Sequence, residues 1–116
     1  RAGLKWLSDL KPLGTDSKKE YLEVASSLIC VFAKLKNSYY PLESTCIATG
    51  FLLASLHQAG VGTLTHTPKP MKFLNKILDL ESYYKPLLIV VAGYPKKPVL
   101  VPSLNKKEIN EISSFY

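Results

Sequence analysis

A helix that is apolar nearly all round constrains this chain more than any other feature. From Glu43 to Ala59 the sequence has helical period. Ile47, Ala48, Phe51, Leu52, Leu53, Ala54 and Leu56 leave little of its circumference polar. A helix of that kind is buried on most of its sides. The chain has only 116 residues, too few to wrap such a helix completely. Small residues at Ala48, Gly50, Ala54 and Ser55 let a second helix approach closely, so a partner subunit is expected along Glu43–Ala59. Pro41 suits the first helical turn and Gly60 the stop.

The segments around this helix read as a small sheet with short helices. Ser27–Ala33 is β-branched, aromatic and uncharged, which predicts a buried strand. Leu87–Ala92 is the strongest strand signal and ends at Gly93-Tyr94-Pro95. Val61–Thr67 alternates loosely and is rich in threonine, a strand running into a loop at Pro68 and Pro70. Met71–Leu80 has apolar residues at amphipathic helical spacing. Asp16 is the expected N-cap of a helix over Ser17–Val24, Trp6, Leu7 and Leu10 mark a helix flank, and a marginal helix is expected around Glu108–Ile112. That order belongs to an α+β or α/β layer protein. No repeat, low-complexity tract or linker divides it, so residues 1–116 read as one domain or part of one.

Hydrophobic residues make up 47% of the chain and charged residues 21%, the balance of a folded globular domain. The net charge of +6 invites an anionic partner, either nucleic acid or a phosphate-bearing cofactor. The lysines are dispersed, and no zinc-finger, recognition-helix or RNA-binding signature accompanies them, so nucleic acid is not expected. Two cysteines cannot build a disulfide framework. Cys30 in a buried strand and Cys46 in a buried helix are expected to be structural thiols of a reducing, cytoplasmic compartment. His57 and His66 lack zinc-site spacing with them, and no metal is expected. Phosphate-cradling glycine motifs and a nucleophile elbow are missing. The longest strongly apolar stretch, Cys46–Leu56, is too short to span a bilayer.

Three segments, taken in order, resemble the FMN-dependent nitroreductase superfamily: Leu52–Gly60, Gly62–Pro68 and Lys85–Pro95. Thr65-His66-Thr67-Pro68, Lys19-Glu20-Tyr21-Leu22, Trp6–Leu10 and Val101-Pro102-Ser103-Leu104 carry a further likeness to its iodotyrosine deiodinase branch. The resemblance implies an α+β fold, with a small, mainly antiparallel sheet between helices in three α-β-α layers. It implies a homodimer with FMN at the interface around Glu43–Ala59. It also implies that residues 1–116 are the C-terminal part of one domain. The family's flavin-phosphate segment, its loop over the flavin ring and its lid Glu and Tyr would all precede Arg1.

The same resemblance nominates site residues. Thr67 takes the place of a threonine whose hydroxyl faces flavin N5, where a donor favours one-electron steps such as reductive dehalogenation. A threonine capping the Pro68 turn is the plain alternative. Thr65 matches a second threonine at the flavin edge, or is an ordinary strand residue. Lys106 replaces a basic residue, usually arginine, that reaches the flavin. A lysine point charge loses the bidentate contacts of a guanidinium. Lys107 stands behind it, and the plain reading of both is a solvated tail charge. Lys19 matches a lid lysine that pairs with a halotyrosine carboxylate, with Lys18 one register away. A surface lysine on an amphipathic helix is its alternative. His66 reads as a loop histidine, because an imidazole without an orienting partner carries little acid–base argument. Trp6 reads as core or lid packing.

Two function classes follow. One is an FMN-dependent oxidoreductase acting on a small aromatic substrate such as a halotyrosine, a nitroaromatic or a quinone, with electrons from NAD(P)H or a reductase partner. The other is a non-catalytic basic module for an anionic partner, with salt-sensitive binding and no flavin.

Overall fold

The computed structural model describes residues 3–14 and 18–116. The elements in chain order are α1 (Leu4–Leu10), a 3-10 turn (Lys11–Leu13), α2 (Tyr21–Val24), β1 (Ser27–Lys34), α3 (Pro41–Gln58), β2 (Gly62–His66), α4 (Phe73–Ile77), β3 (Tyr84–Gly93) and α5 (Ile109–Ile112). They fall into two compact units, Lys19–Lys97 and a second formed by Arg1–Lys18 with Pro98–Tyr116.

The larger unit is built on a three-stranded antiparallel sheet in the order β1-β3-β2. The strand with the strongest apolar run is the central one. Ile89 and Val91 point to one face and Val90 and Ala92 to the other, and all four are buried. β3 is longer than its apolar run and takes in Pro86, a residue that cannot donate to a ladder. Two features accommodate it. The register with β1 slips between Val31, opposite Leu88, and Phe32, opposite Pro86, leaving Leu87 as the extra residue. Pairing with β2 ends at His66 opposite Ile89, so Pro86 lies beyond the reach of that neighbour.

α3 starts with Pro41 in its first turn and packs against β1 and β2. Its inner face carries a threonine ladder. The Thr45 hydroxyl donates to the Pro41 carbonyl at 2.6 Å, and that of Thr49 to the Thr45 carbonyl at 2.7 Å. Thr49 is the buried polar residue of this helix, and its hydroxyl is satisfied by its own preceding turn. The expectation of burial on most sides is corrected here. Ile47 is 63% and Phe51 71% exposed, so within this chain α3 covers the sheet with one face and turns an apolar face outward. Cys46 shares that exposure and is no buried thiol, while Cys30 is half-buried on β1, where burial pushes its thiol pKa up.

Two helices are shorter than their sequence pattern. α4 spans Phe73–Ile77, because Leu78 closes its last turn onto the Leu74 carbonyl and Asp79 then adopts a left-handed φ of 51°. α2 is a single turn, so Lys19 precedes it instead of lying on a longer amphipathic helix. Asp16 and Ser17, the expected cap and first residue of that longer helix, lie outside the described residues.

In the smaller unit, α1 confirms the helix flank at Trp6, Leu7 and Leu10. The turn after it ends at Gly14, whose φ of 65° suits glycine and whose N–H donates to the Lys11 carbonyl at 3.1 Å. α5 is held by a reciprocal cap in which the Glu108 N–H donates to Glu111 Oε2 at 2.9 Å. Among the described residues, no helix is long and apolar enough to cross a membrane, and no cluster of three or more His, Cys, Asp or Glu is arranged to hold a metal.

Candidate functional site

β2 positions the threonines. Side chains alternate along a strand, so Thr63 and Thr65 face one way and Leu64 and His66 the other. Thr65 sits opposite Val90 of β3, and Thr67 follows the last residue of the strand. Both threonines are exposed, and neither hydroxyl has a hydrogen-bond partner among the described residues. They offer unengaged donors and acceptors two residues apart at the end of a strand fixed by the central β3.

His66, between them, is half-buried and has a partner that sequence reasoning did not supply. Its Nδ1 lies 3.4 Å from the Tyr21 hydroxyl, and the two rings meet edge to face at 81° with centroids 6.1 Å apart. Burial, and then the Lys19 cation, hold the His66 pKa below its usual 6.5. The neutral imidazole can therefore accept the Tyr21 hydroxyl proton at Nδ1 around neutral pH. Burial also raises the Tyr21 pKa, keeping the phenol protonated as a donor. Lys19 completes the group, with Nζ 5.8 Å from the Tyr21 ring centroid.

Lys19, Tyr21 and His66 thus form one contiguous group, and Thr65 and Thr67 flank it along the chain, Thr65 on the opposite face of β2. Two sequence-nominated positions far apart in the chain, Lys19 and the Thr65/Thr67 pair, are joined through Tyr21 and His66. His66 is the last residue of β2 and oriented by a phenol, which corrects its reading as an unpartnered loop histidine. Tyr21, not nominated from the sequence, joins this group through His66 and Lys19. Its sequence signal is its place in the Lys19-Glu20-Tyr21-Leu22 motif, two residues after the nominated lysine. A largely apolar cavity of about 640 Å³ opens beside it, lined by Tyr21, Val24, Thr63, Leu64, Tyr94 and Pro95 among others. Lys106 and Lys107 belong to the other unit, where both are exposed immediately ahead of α5.

No family model matches the chain. Sequence relatives are clear. The iodotyrosine deiodinase of Haliscomenobacter hydrossis is 47% identical over 125 residues, covering 100% of this chain and 56% of that protein. The human iodotyrosine deiodinase 1 is 38% identical over 122 residues, covering 97% of this chain and 42% of that protein. Among solved structures, oxidized iodotyrosine deiodinase bound to FMN and 3-iodo-L-tyrosine superposes with a TM-score of 0.74 at 27% identity, over 94% of this chain and 58% of that one. The chain spans about half the length of these relatives.

The small antiparallel sheet with its packed helices is a nitroreductase-like α+β fold. Within that superfamily the chain is a homologue of the iodotyrosine deiodinases, in sequence along its whole length and in fold.

Proposed function

We propose that this chain carries part of the active site of an FMN-dependent oxidoreductase that reductively dehalogenates halotyrosines. The observation that carries the reading is the 47% identity to an iodotyrosine deiodinase along the full chain. The nominated residues also fit the cofactor. The exposed, unengaged hydroxyls of Thr65 and Thr67 suit the nitrogen- and oxygen-bearing edge of a flavin ring.

When bound, FMN supplies the two electrons that, with a proton, replace a carbon–halogen bond by carbon–hydrogen and release halide. The chain's own groups bind and orient. Thr67, just past the end of β2, would donate a hydrogen bond to the flavin edge, with Thr65 two residues earlier on the strand. Lys19 pairs with the substrate carboxylate. Tyr21 and His66 hold the lysine's segment against the threonine strand. Electrons come from NAD(P)H or a reductase partner.

Two copies pack through α3, whose outward Ile47 and Phe51 need a cover and whose Ala48, Gly50 and Ala54 allow close approach. A cytoplasmic setting suits the free thiols of Cys30 and Cys46.

The test uses the full-length protein. Its visible spectrum should show flavin, released as FMN on denaturation. With dithionite as reductant it should liberate iodide from 3-iodotyrosine. A full-length protein that stays colourless with added FMN overturns the reading.

A further inference from the structure

A second cavity of about 640 Å³ lies between α4 and the start of β3, and it shares no residue with the threonine strand. Its walls combine two chemistries. Leu35, Leu80, Tyr84 and Pro86 give apolar surface, and Lys72, Lys76 and Lys85 give three ammonium groups against one acid, Asp79. None of the three lysines is paired with a carboxylate among the described residues. Lys72 and Lys76 stand four residues apart at α4, a like-charge spacing that is unfavourable without a counter-charge. The turn that joins its two walls is pinned. The Asn75 amide donates to the Glu81 carbonyl at 3.2 Å and the Tyr84 carbonyl at 2.7 Å, which holds the turn through Asp79 in place.

We propose that this cavity binds a small aryl oxyanion, its flat apolar ring against Tyr84, Pro86 and Leu80 and its carboxylate or phosphate among Lys72, Lys76 and Lys85. The volume falls within the range of small-molecule sites, and an apolar wall with a few polar groups at its rim, here the exposed Lys72, Lys76 and Lys85, is the usual make-up of such sites. Three donors of one sign select the charge of the ligand. The apolar wall selects a body beyond the bare ion. The proposal does not rest on the flavin reading.

The experiment is calorimetric titration of the full-length protein with phenyl phosphate, benzoate and inorganic phosphate. Saturable one-site binding of phenyl phosphate or benzoate, weakened by added salt, is expected, and the tighter of the two identifies the oxyanion. The double variant Lys72→Gln with Lys76→Gln should weaken it about tenfold or more, as loss of charge-assisted bonds does. Lys85→Gln serves as an independent second variant, and Lys97→Gln should leave binding within about twofold. No saturable binding, inorganic phosphate binding as tightly as the aryl ligands, or an equal loss in Lys97→Gln each overturns the proposal. Flavin content, read from the visible spectrum, is expected to stay unchanged in the lysine variants. Its loss together with ligand binding would merge this cavity with the flavin site and overturn a separate one.

Discussion

The Tyr21 hydroxyl lies 3.4 Å from Nδ1 of His66, across 45 residues of sequence, and the Lys19 cation stands beside both. This contact ties the segment bearing the nominated substrate lysine to the strand bearing the nominated flavin threonines. It also makes His66 a reporter. Burial is the larger reason its pKa is low, and Lys19 the smaller. Replacing Lys19 by glutamine removes a charge that disfavours the imidazolium, so the His66 pKa should rise but stay below 6.5. NMR titration of the imidazole Cε1 proton measures it. An unmoved pKa would place the Lys19 ammonium away from the ring.

The same shift predicts how stability depends on pH. A folded-state pKa below 6.5 means the unfolded chain binds the proton first as pH falls. His66 therefore contributes stability fully above pH 6.5, and that contribution is lost as pH drops from there towards the lower folded value. His66→Gln should flatten this part of the profile. Urea midpoints measured across the window check it, and an unchanged slope in the variant would assign the pH dependence to other groups.

How far these features were legible in the sequence follows from their range. β1, β2 and β3 were visible because an uninterrupted apolar run or a threonine alternation is a local signal. The extension of β3 through Pro86 was not. It depends on where β2 stops and on the slip at Val31 and Phe32. The circumference of α3 is apolar in the sequence, but composition cannot say which face its own chain covers. The early stop of α4 depends on a left-handed Asp79 and on a side-chain clamp from Asn75, neither of which disturbs the hydrophobic period. The nomination of Thr65, Thr67, Lys19 and Lys106 rests on a family likeness. Tyr21 and His66 became partners only once β2 and α2 were placed.

Tyr83 is predicted to ionise well above the usual phenol range. Its phenol is pushed up to about 12, first by a hydrogen bond to the Glu81 side chain, with burial and the negative charge of Glu81 adding to it. An anionic acceptor beside a phenol favours the protonated form, so Glu81→Gln should bring the pKa down towards 10. Ultraviolet titration of phenolate absorbance, comparing Glu81→Gln with the parent, shows one tyrosine moving to lower pH. An identical curve would refute the pairing.

Asn75 should be worth more than its half-exposed position suggests, because one amide nitrogen serves two backbone carbonyls of the α4–β3 turn. Asn75→Ala should cost about 1–2 kcal/mol, the net value of one good and one longer hydrogen bond. Asn75→Asp should cost more, since it turns an acceptor towards the Glu81 and Tyr84 carbonyls. The midpoint of urea unfolding ranks the variants. Aspartate tolerated as well as alanine would mean the turn relaxes away from the clamp.

The outward face of α3 gives the remaining test. Ile47 and Phe51 are four residues apart on that face, 63% and 71% exposed, with Gly50 and Ala54 beside them offering no bulk. Large apolar side chains in such an arrangement bury themselves against a complementary surface, and each fully buried one contributes about 1.5–3 kcal/mol. In a twofold-symmetric pair each substitution acts twice, so Phe51→Glu places two carboxylates in the interface and opposes both association and burial. The full-length protein should run as a dimer by light scattering, and Phe51→Glu should shift it to monomer at micromolar concentration. Leu52→Ala should instead lower thermal stability, because Leu52 is half-buried within the chain and its loss reaches the sheet-facing side of the helix. A parent protein that is monomeric at all concentrations, or a Phe51→Glu variant that dimerises as tightly as the parent, would remove α3 from the interface.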